Sequence, residues 1–274
     1  MIRPNSWRFR VVLILALLLW LPLLAWAQTE VGKVLATRGE VTAMAADGQS
    51  RPLARGASLF QGDTVATGAD SFVRIRFSDG GSLHLRAATR FAIAEYVFAE
   101  QGKRDVGRFD LVAGGFRAVT GAIGREDKAA YSVKTPVTTI GIRGTDHEGR
   151  YCNSDCNDLI DRGVPPPDDG LYNGTFEGET VIGGEGFGPG QYGYTNPDGV
   201  TIRLPEPPTI LTADPLPDPA DDSQYEGVGT DADGGPPGGD APTDIEGGDQ
   251  LLAEAGYFTI PDRERQVLAL ECPL

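Results

Sequence analysis

The sequence predicts an all-β protein: a two-sheet sandwich, jelly-roll-like, with a closed barrel as second choice. Three observations predict it. From Gly62 to Leu85 the chain reads G-D-T-V-A-T-G-A-D-S-F-V-R-I-R-F-S-D-G-G-S-L-H-L, a strand–turn–strand unit and nothing else. Gly and Pro punctuate the chain roughly every 8–12 residues, the spacing of a sandwich or barrel. Helical signals are almost absent from the body of the chain. No single hairpin can bury the apolar faces of so many strands, so two sheets must pack together.

Residues 1–27 read as a signal peptide rather than as fold. Arg3, Arg8 and Arg10 form a positive start, Val11 to Leu24 is apolar, and Ala25-Trp26-Ala27 fits small-x-small cleavage. An uncleaved anchor is the rival reading, but the run is shorter than the ~20 residues a span needs and Pro22 interrupts it. The chain is therefore expected outside the cytoplasm, periplasmic first, with the cell surface or secretion as alternatives. It would meet a membrane only during export.

A body is expected over 28–204. Its strands are Gly32–Thr37, Glu40–Ala45, Ser50–Leu53, Thr64–Ala66, Phe72–Phe77, Ser82–Leu85, Arg90–Val97, Arg108–Ala113, Gly115–Thr120, Ala130–Lys134, Thr138–Ile142 and Asp146–Tyr151. In Phe72-Val-Arg-Ile-Arg-Phe77, period two puts Val73, Ile75 and Phe77 on one face and Arg74 and Arg76 on the other. Asp79-Gly80-Gly81 supplies the positive-φ residues of a hairpin, and Val112-Ala113-Gly114-Gly115 reads as another turn. His84 reads as an exposed strand residue.

An insertion loop occupies 152–169, stiffened by Pro165, Pro166 and Pro167. Alternation returns at Gly170–Ile182, with Leu171, Asn173 and Thr175 opposite Tyr172 and Phe176. The glycine-rich stretch 183–193 leads to a last strand at Gly199–Leu204. Residues 205–249 carry nine Asp and three Glu against no Lys or Arg. With so much Pro and Gly they cannot bury enough apolar surface to offset ordering entropy, so a disordered acidic linker is expected. A short C-terminal segment, 250–274, regains apolar content. The acidity belongs to the tail, which excludes a nucleic-acid partner.

Several motifs together resemble the FecR-type extracytoplasmic domain. They are Leu53-Ala-Arg-Gly56, Gly62-Asp-Thr-Val-Ala-Thr-Gly68, Ser71-Phe-Val-Arg-Ile-Arg-Phe-Ser-Asp-Gly-Gly-Ser82, Leu111-Val-Ala-Gly-Gly-Phe-Arg117 and Val133-Lys-Thr-Pro-Val-Thr-Thr-Ile-Gly-Ile-Arg-Gly-Thr-Asp146. The likeness spans 31–204. Sigma-regulating members place a cytoplasmic anti-sigma segment before a membrane helix, whereas ten residues precede the apolar run here. The resemblance thus implies the free-standing exported branch: a protein-interaction, sensing or scaffold module of the bacterial cell envelope, with an envelope protein as partner and no cofactor.

The residues that tempt a chemical reading are few. Arg143 and Asp146 could contact a partner or ligand, or pair with one another to order a strand crossing. Cys152 and Cys156 form the natural disulfide of an exported chain; pairing with Cys272, or a zinc site using His147, are the alternatives. Tyr151, Tyr172, Phe176 and Tyr192 would line the aromatic face of a lectin-like, carbohydrate-binding sandwich. Asn153, Asp155 and Asn157 follow the first calcium-loop positions, but Asp158 and Val164 break the pattern, so a calcium-stabilised surface protein is a third reading. No nucleophile turn accompanies His84 or His147; carboxylates are plentiful, so an acid pair assembled in space, for example Glu95 with Asp110, is left open. The expectation is a non-enzyme with no metal site.

Overall fold

The computed structural model describes residues 29–99, 105–158, 160 and 163–217. The stretch expected to be a signal peptide, Cys272 and the segments 218–249 and 250–274 lie outside the described residues.

Among the described residues seventeen strands join in one hydrogen-bonded network that folds into two sheets. They are β1 (Glu30–Arg38), β2 (Val41–Met44), β3 (Ser50–Pro52), β4 (Ser58–Phe60), β5 (Thr64–Thr67), β6 (Phe72–Phe77), β7 (Ser82–Leu85), β8 (Arg90–Val97), β9 (Val106–Val119), β10 (Tyr131–Lys134), β11 (Thr139–Ile142), β12 (Asp146–Cys152), β13 (Gly170–Glu177), β14 (Thr180–Ile182), β15 (Glu185–Phe187), β16 (Gln191–Thr195) and β17 (Thr201–Leu204). Two short helices accompany them, α1 (Ala122–Glu126) and α2 (Thr209–Thr212). The front sheet runs β4-β1-β6-β7-β9-β12-β13-β16-β17. The back sheet runs β3-β2-β5-β8-β9-β10-β11-β14-β15, all antiparallel except β9–β10. The all-β, two-sheet expectation holds. Within it, hairpin partners such as β6–β7 and β12–β13 alternate with neighbours brought together by longer connections, such as β1–β6 and β9–β12.

The long strand β9 belongs to both sheets. Its first half pairs with β8 and β10, its second with β7 and β12. The sequence suggested a turn at 112–115; instead the strand bends and continues. Val112 is the extra residue of a bulge between the Phe91–Leu111 and Arg90–Ala113 pairs. Gly114 follows at φ +79°, a conformation that costs a side chain about 1–2 kcal/mol. The local glycine signal is the same for a turn and for a bend; only the partners on either side separate them.

Period-two faces meet between the sheets. Val73 and Ile75 of β6 are fully buried, with Leu85, Phe91, Leu111, Phe116, Val133 and Ile140 around them. A run of rings joins the layers: Phe77–Phe109 at 5.3 Å, Phe91–Phe109 at 5.6 Å and Phe91–Phe116 at 5.6 Å between centroids. Tilted pairs of this kind contribute about 0.5–1.5 kcal/mol beyond their burial. Strands β4, β15 and β16 escape the sequence reading because they sit in glycine-rich stretches. Gly183 and Gly184, both at positive φ, close the β14–β15 hairpin.

Candidate functional site

The outward side chains of the front sheet form a charged row. Register places Arg74 beside His84, His84 beside Arg117, Arg117 beside Glu148 and Glu148 beside Gly174. Arg86 follows the end of β7, and Arg150 lies two residues beyond Glu148, opposite Gly115. A Cβ at 115 would stand 3.0 Å from Arg86 Cδ and 3.2 Å from Arg150 Cγ. Glycine there makes room for two arginine stems.

An outer sheet face is ordinarily wet, yet this one is covered. Arg74, His84, Arg86, Glu148 and Arg150 are each 5% exposed or less. The cover is a strap, residues 209–217. Ile210 and Leu211 insert into a small apolar cluster with Cys152, Cys156 and Tyr172, flanked by Tyr192 and Tyr194. Beyond that anchor, arginines hold the strap by its main chain. Arg150 Nη1 donates to the Ile210 carbonyl at 3.3 Å, Arg86 to the carbonyls of Leu211 (3.5 Å) and Asp214, and Arg117 Nη1 to that of Leu216 at 2.8 Å. The expected disordered linker thus begins with a stretch in which Ile210 and Leu211 are buried and Asp214 and Leu216 are held by arginines. Arg38, Phe72, His84, Arg86, Arg150 and Pro215 are among the residues that line a cavity of about 430 Å³ beside the strap.

Burial sets the electrostatics. His84 is pushed down to about 4 by desolvation first, then by Arg86, Arg74 and Arg117. Burial raises the Glu148 carboxyl and lowers the Arg86 guanidinium, each against the pull of its partner 3.4 Å away. Burial wins because both ions have left water. Arg86 Nε, Arg150 Nε and His84 Nδ1 are buried with no hydrogen-bond partner.

The sequence-predicted residues fall in different places. Arg143 and Asp146 do not pair: Arg143 bonds Glu179 at 2.7 Å on the surface, and Asp146 receives Arg117 in two bonds of 3.0 and 2.7 Å. Gly144, at φ +64°, turns the chain between β11 of the back sheet and β12 of the front, which sends the two side chains to different layers. The Arg117 guanidinium also lies 4.1 Å from the Phe176 ring centroid. Tyr172 is buried, donates its hydroxyl to the Asp168 carbonyl at 3.1 Å and packs 4.9 Å from Tyr194. Tyr151 packs on the main core and Tyr192 on the small cluster. These aromatics therefore make no common exposed platform.

His84 is buried rather than exposed, set between Arg74 and Arg117 in the charged row with the Phe72 ring 5.3 Å away. An apolar Ile-Leu pair inside a Pro-rich acidic stretch was the one sequence signal that could have foretold the strap. His147 is wholly buried, bonded through Nδ1 to Thr145 Oγ1 at 3.1 Å and edge-on to Phe116. Glu95 pairs with Arg108 at 2.8 Å on the surface. Among the described residues no group of three or more His, Cys, Asp or Glu is placed to hold a metal. Within the calcium-like loop, Asp155 accepts the Asn153 amide and Asp158 pairs with Arg150.

Cys152 and Cys156 are joined. The bridge closes a loop of sequence separation 4 under the strap's apolar anchor. So short a loop is worth about 2 kcal/mol in the chain-entropy account. Cys152→Ser/Cys156→Ser is expected to lower stability by about that much in a urea titration, and reductant should reproduce the loss in the native chain.

Residues 63–157 match the family model described as FecR protein. The chain carries a FecR domain. The match opens on Asp63, which is 1% exposed and serves structure. Its carboxylate accepts Arg51 Nη1 at 3.0 Å and the Phe60 amide at 2.8 Å, locking the turn into β5. The FecR body is also similar to three solved chains. A cell surface anchoring domain shares 32% identity over 23% of this chain and 82% of its own, at a TM-score of 0.22. Two structures of a proposed anti-sigma factor from Parabacteroides distasonis share 14% and 13% identity. Each match covers 55% of this chain, with TM-scores of 0.39 and 0.38. The chain spans 62% and 63% of their length. At these TM-scores none carries an argument. No curated protein matches the chain. Among the described residues no helix is long and apolar enough to cross a membrane.

Proposed function

We propose that this FecR-domain chain is exported to the periplasm and works there as a non-catalytic interaction module, contacting an envelope protein through the outer face of its front sheet. One observation carries the reading. Arg86, Arg117 and Arg150 each give a donor to main-chain carbonyls of the strap, beside their bonds to Glu148, Asp146 and Asp158. Carbonyl oxygens are common to every polypeptide, so a face equipped this way holds protein. The two histidines support the absence of catalysis. One is packed among rings and the other is held neutral in the charged row, with a hydroxyl contact from Thr145 as the nearest approach to a nucleophile pair.

The test is photo-cross-linking in intact envelopes. A photoreactive side chain at Ala87, on the cavity rim, is expected to capture a discrete envelope protein. The same side chain at Lys134, exposed on the back sheet, should not. Identical bands from both positions would remove the front face as the contact surface.

A further inference from the structure

The strap makes no strand ladder with the sheet beneath it. Its own backbone bonds are internal, Leu211 and Thr212 N–H to the Pro208 carbonyl and Ala213 N–H to that of Thr209. It is held by side chains alone, through three kinds of contact. Ile210 and Leu211, 3% and 1% exposed, fill the apolar cluster. The Asp214 carboxylate stands 3.6 Å from Arg86 Nη1. The remaining grip falls on carbonyl oxygens, which any chain of similar shape would offer. Pro205, Pro207 and Pro208 precede the strap and stiffen its approach.

Closing the strap also has a cost. On the two arginines that grip the strap, Arg86 Nε and Arg150 Nε are buried with no protein acceptor. A buried polar group in that state forfeits its full hydration. Lifting the strap would open these two guanidiniums to water, so the covered state is weakened at residues that hold it. Alongside Asp214 to Pro217 the cavity of about 430 Å³ leaves an incoming chain a place to start.

We infer that this face is a peptide-binding groove, now filled by the chain's own strap. A partner segment of the same chemistry takes the strap's place: two adjacent branched aliphatic residues, then an acid three positions after the second. The inference rests on the contact face proposed above and names what that face reads. Selection comes from the apolar pocket and from Arg86, while the carbonyl grip supplies sequence-independent affinity. The strap sets the threshold, because a partner must bind better than a segment that is always present.

The full mature chain carrying Leu211→Asp, which expels the strap's anchor, is titrated with a fluorescein-labelled peptide of residues 207–217. Anisotropy is expected to show at least tenfold tighter binding than to the unaltered chain. Asp214→Lys in the peptide, or a scrambled order, should lose at least tenfold. Equal binding of the scrambled peptide, or no difference between the two proteins, overturns the inference. Since Leu211→Asp could disturb the fold, hydrogen exchange on the unaltered chain gives a second reading. The amides of Leu211, Thr212 and Ala213 are expected to exchange at least 100-fold faster than that of Arg150 in β12. Exchange of the strap only on global unfolding would make it a permanent part of the core and sink the groove. A positive cross-link at Ala87 beside a negative peptide titration would leave the contact face standing and remove only its reading of the strap motif.

Discussion

Acidification from pH 7 to 4.5 is expected to cost the folded protein about 5 kcal/mol through two histidines alone. His147 is held down to about 3 by complete burial, opposed only by a backbone bond with Ala118, and His84 to about 4 by burial and three arginines. In the unfolded chain both return to 6.5. Above 6.5 neither state binds the proton and stability is full. As pH falls through 6.5 the unfolded state takes up protons that the native state refuses, so stability declines until the folded values are reached. Two pH units below 6.5 are worth about 2.7 kcal/mol per histidine. Glu148 works the other way. Its carboxyl is raised by burial, so its unfavourable charge is relieved as pH falls. Urea titrations at several pH values test this by difference: His147→Leu should lose about half of the decline between pH 6.5 and 4.5, whatever its stability at pH 7. An unchanged decline would mean that His147 is protonated in the native protein, and that the core around Phe116 and Tyr131 is wet.

Gly114→Ala is expected to cost about 4 kcal/mol, and Gly48→Ala only about 1–2. Both glycines have positive φ, +79° and +85°. They differ in what surrounds them. A Cβ at 114 would lie 2.4 Å from Thr89 Oγ1, 2.6 Å from Thr89 Cα and 2.8 Å from the Ala88 carbonyl, whereas one at 48 meets nothing within 4 Å. Two of those three atoms are backbone and cannot swing aside. The third, Thr89 Oγ1, bonds both the amide and the carbonyl of Gly115, at 3.0 and 3.1 Å. The damage would therefore spread from the bend in β9 to the site where Arg86 and Arg150 cross Gly115. Chemical denaturation of the two variants decides the matter. Similar losses at both positions would mean that the close approach of residues 88–89 to β9 is not a feature of the native protein.

Local features carried well from sequence to structure. The spans of β6, β7 and β8 match their sequence expectation residue for residue, because alternation and turn glycines act within a few positions. Leu171, Asn173 and Thr175 face inward from β13 as their period-two spacing requires. The candidate site carried poorly. Tyr172 and Arg143 stood out by residue type, yet one packs under the strap and the other makes a surface pair. The residues that do converge, Arg86, Arg117, Arg150 and His84, look like ordinary outward residues of alternating strands.

By itself, then, the sequence determined the all-β class, most strand positions, the Cys152–Cys156 bridge and the FecR resemblance. Each depends on neighbours a few residues apart or on a motif read whole. Tertiary structure alone decided that β9 serves both sheets, that His84 is buried, and that three arginines hold a strap. Those outcomes join Arg117 to Leu216 and Arg86 to Asp214, pairs 99 and 128 residues apart, and no periodicity encodes which distant segment will cover a charged face.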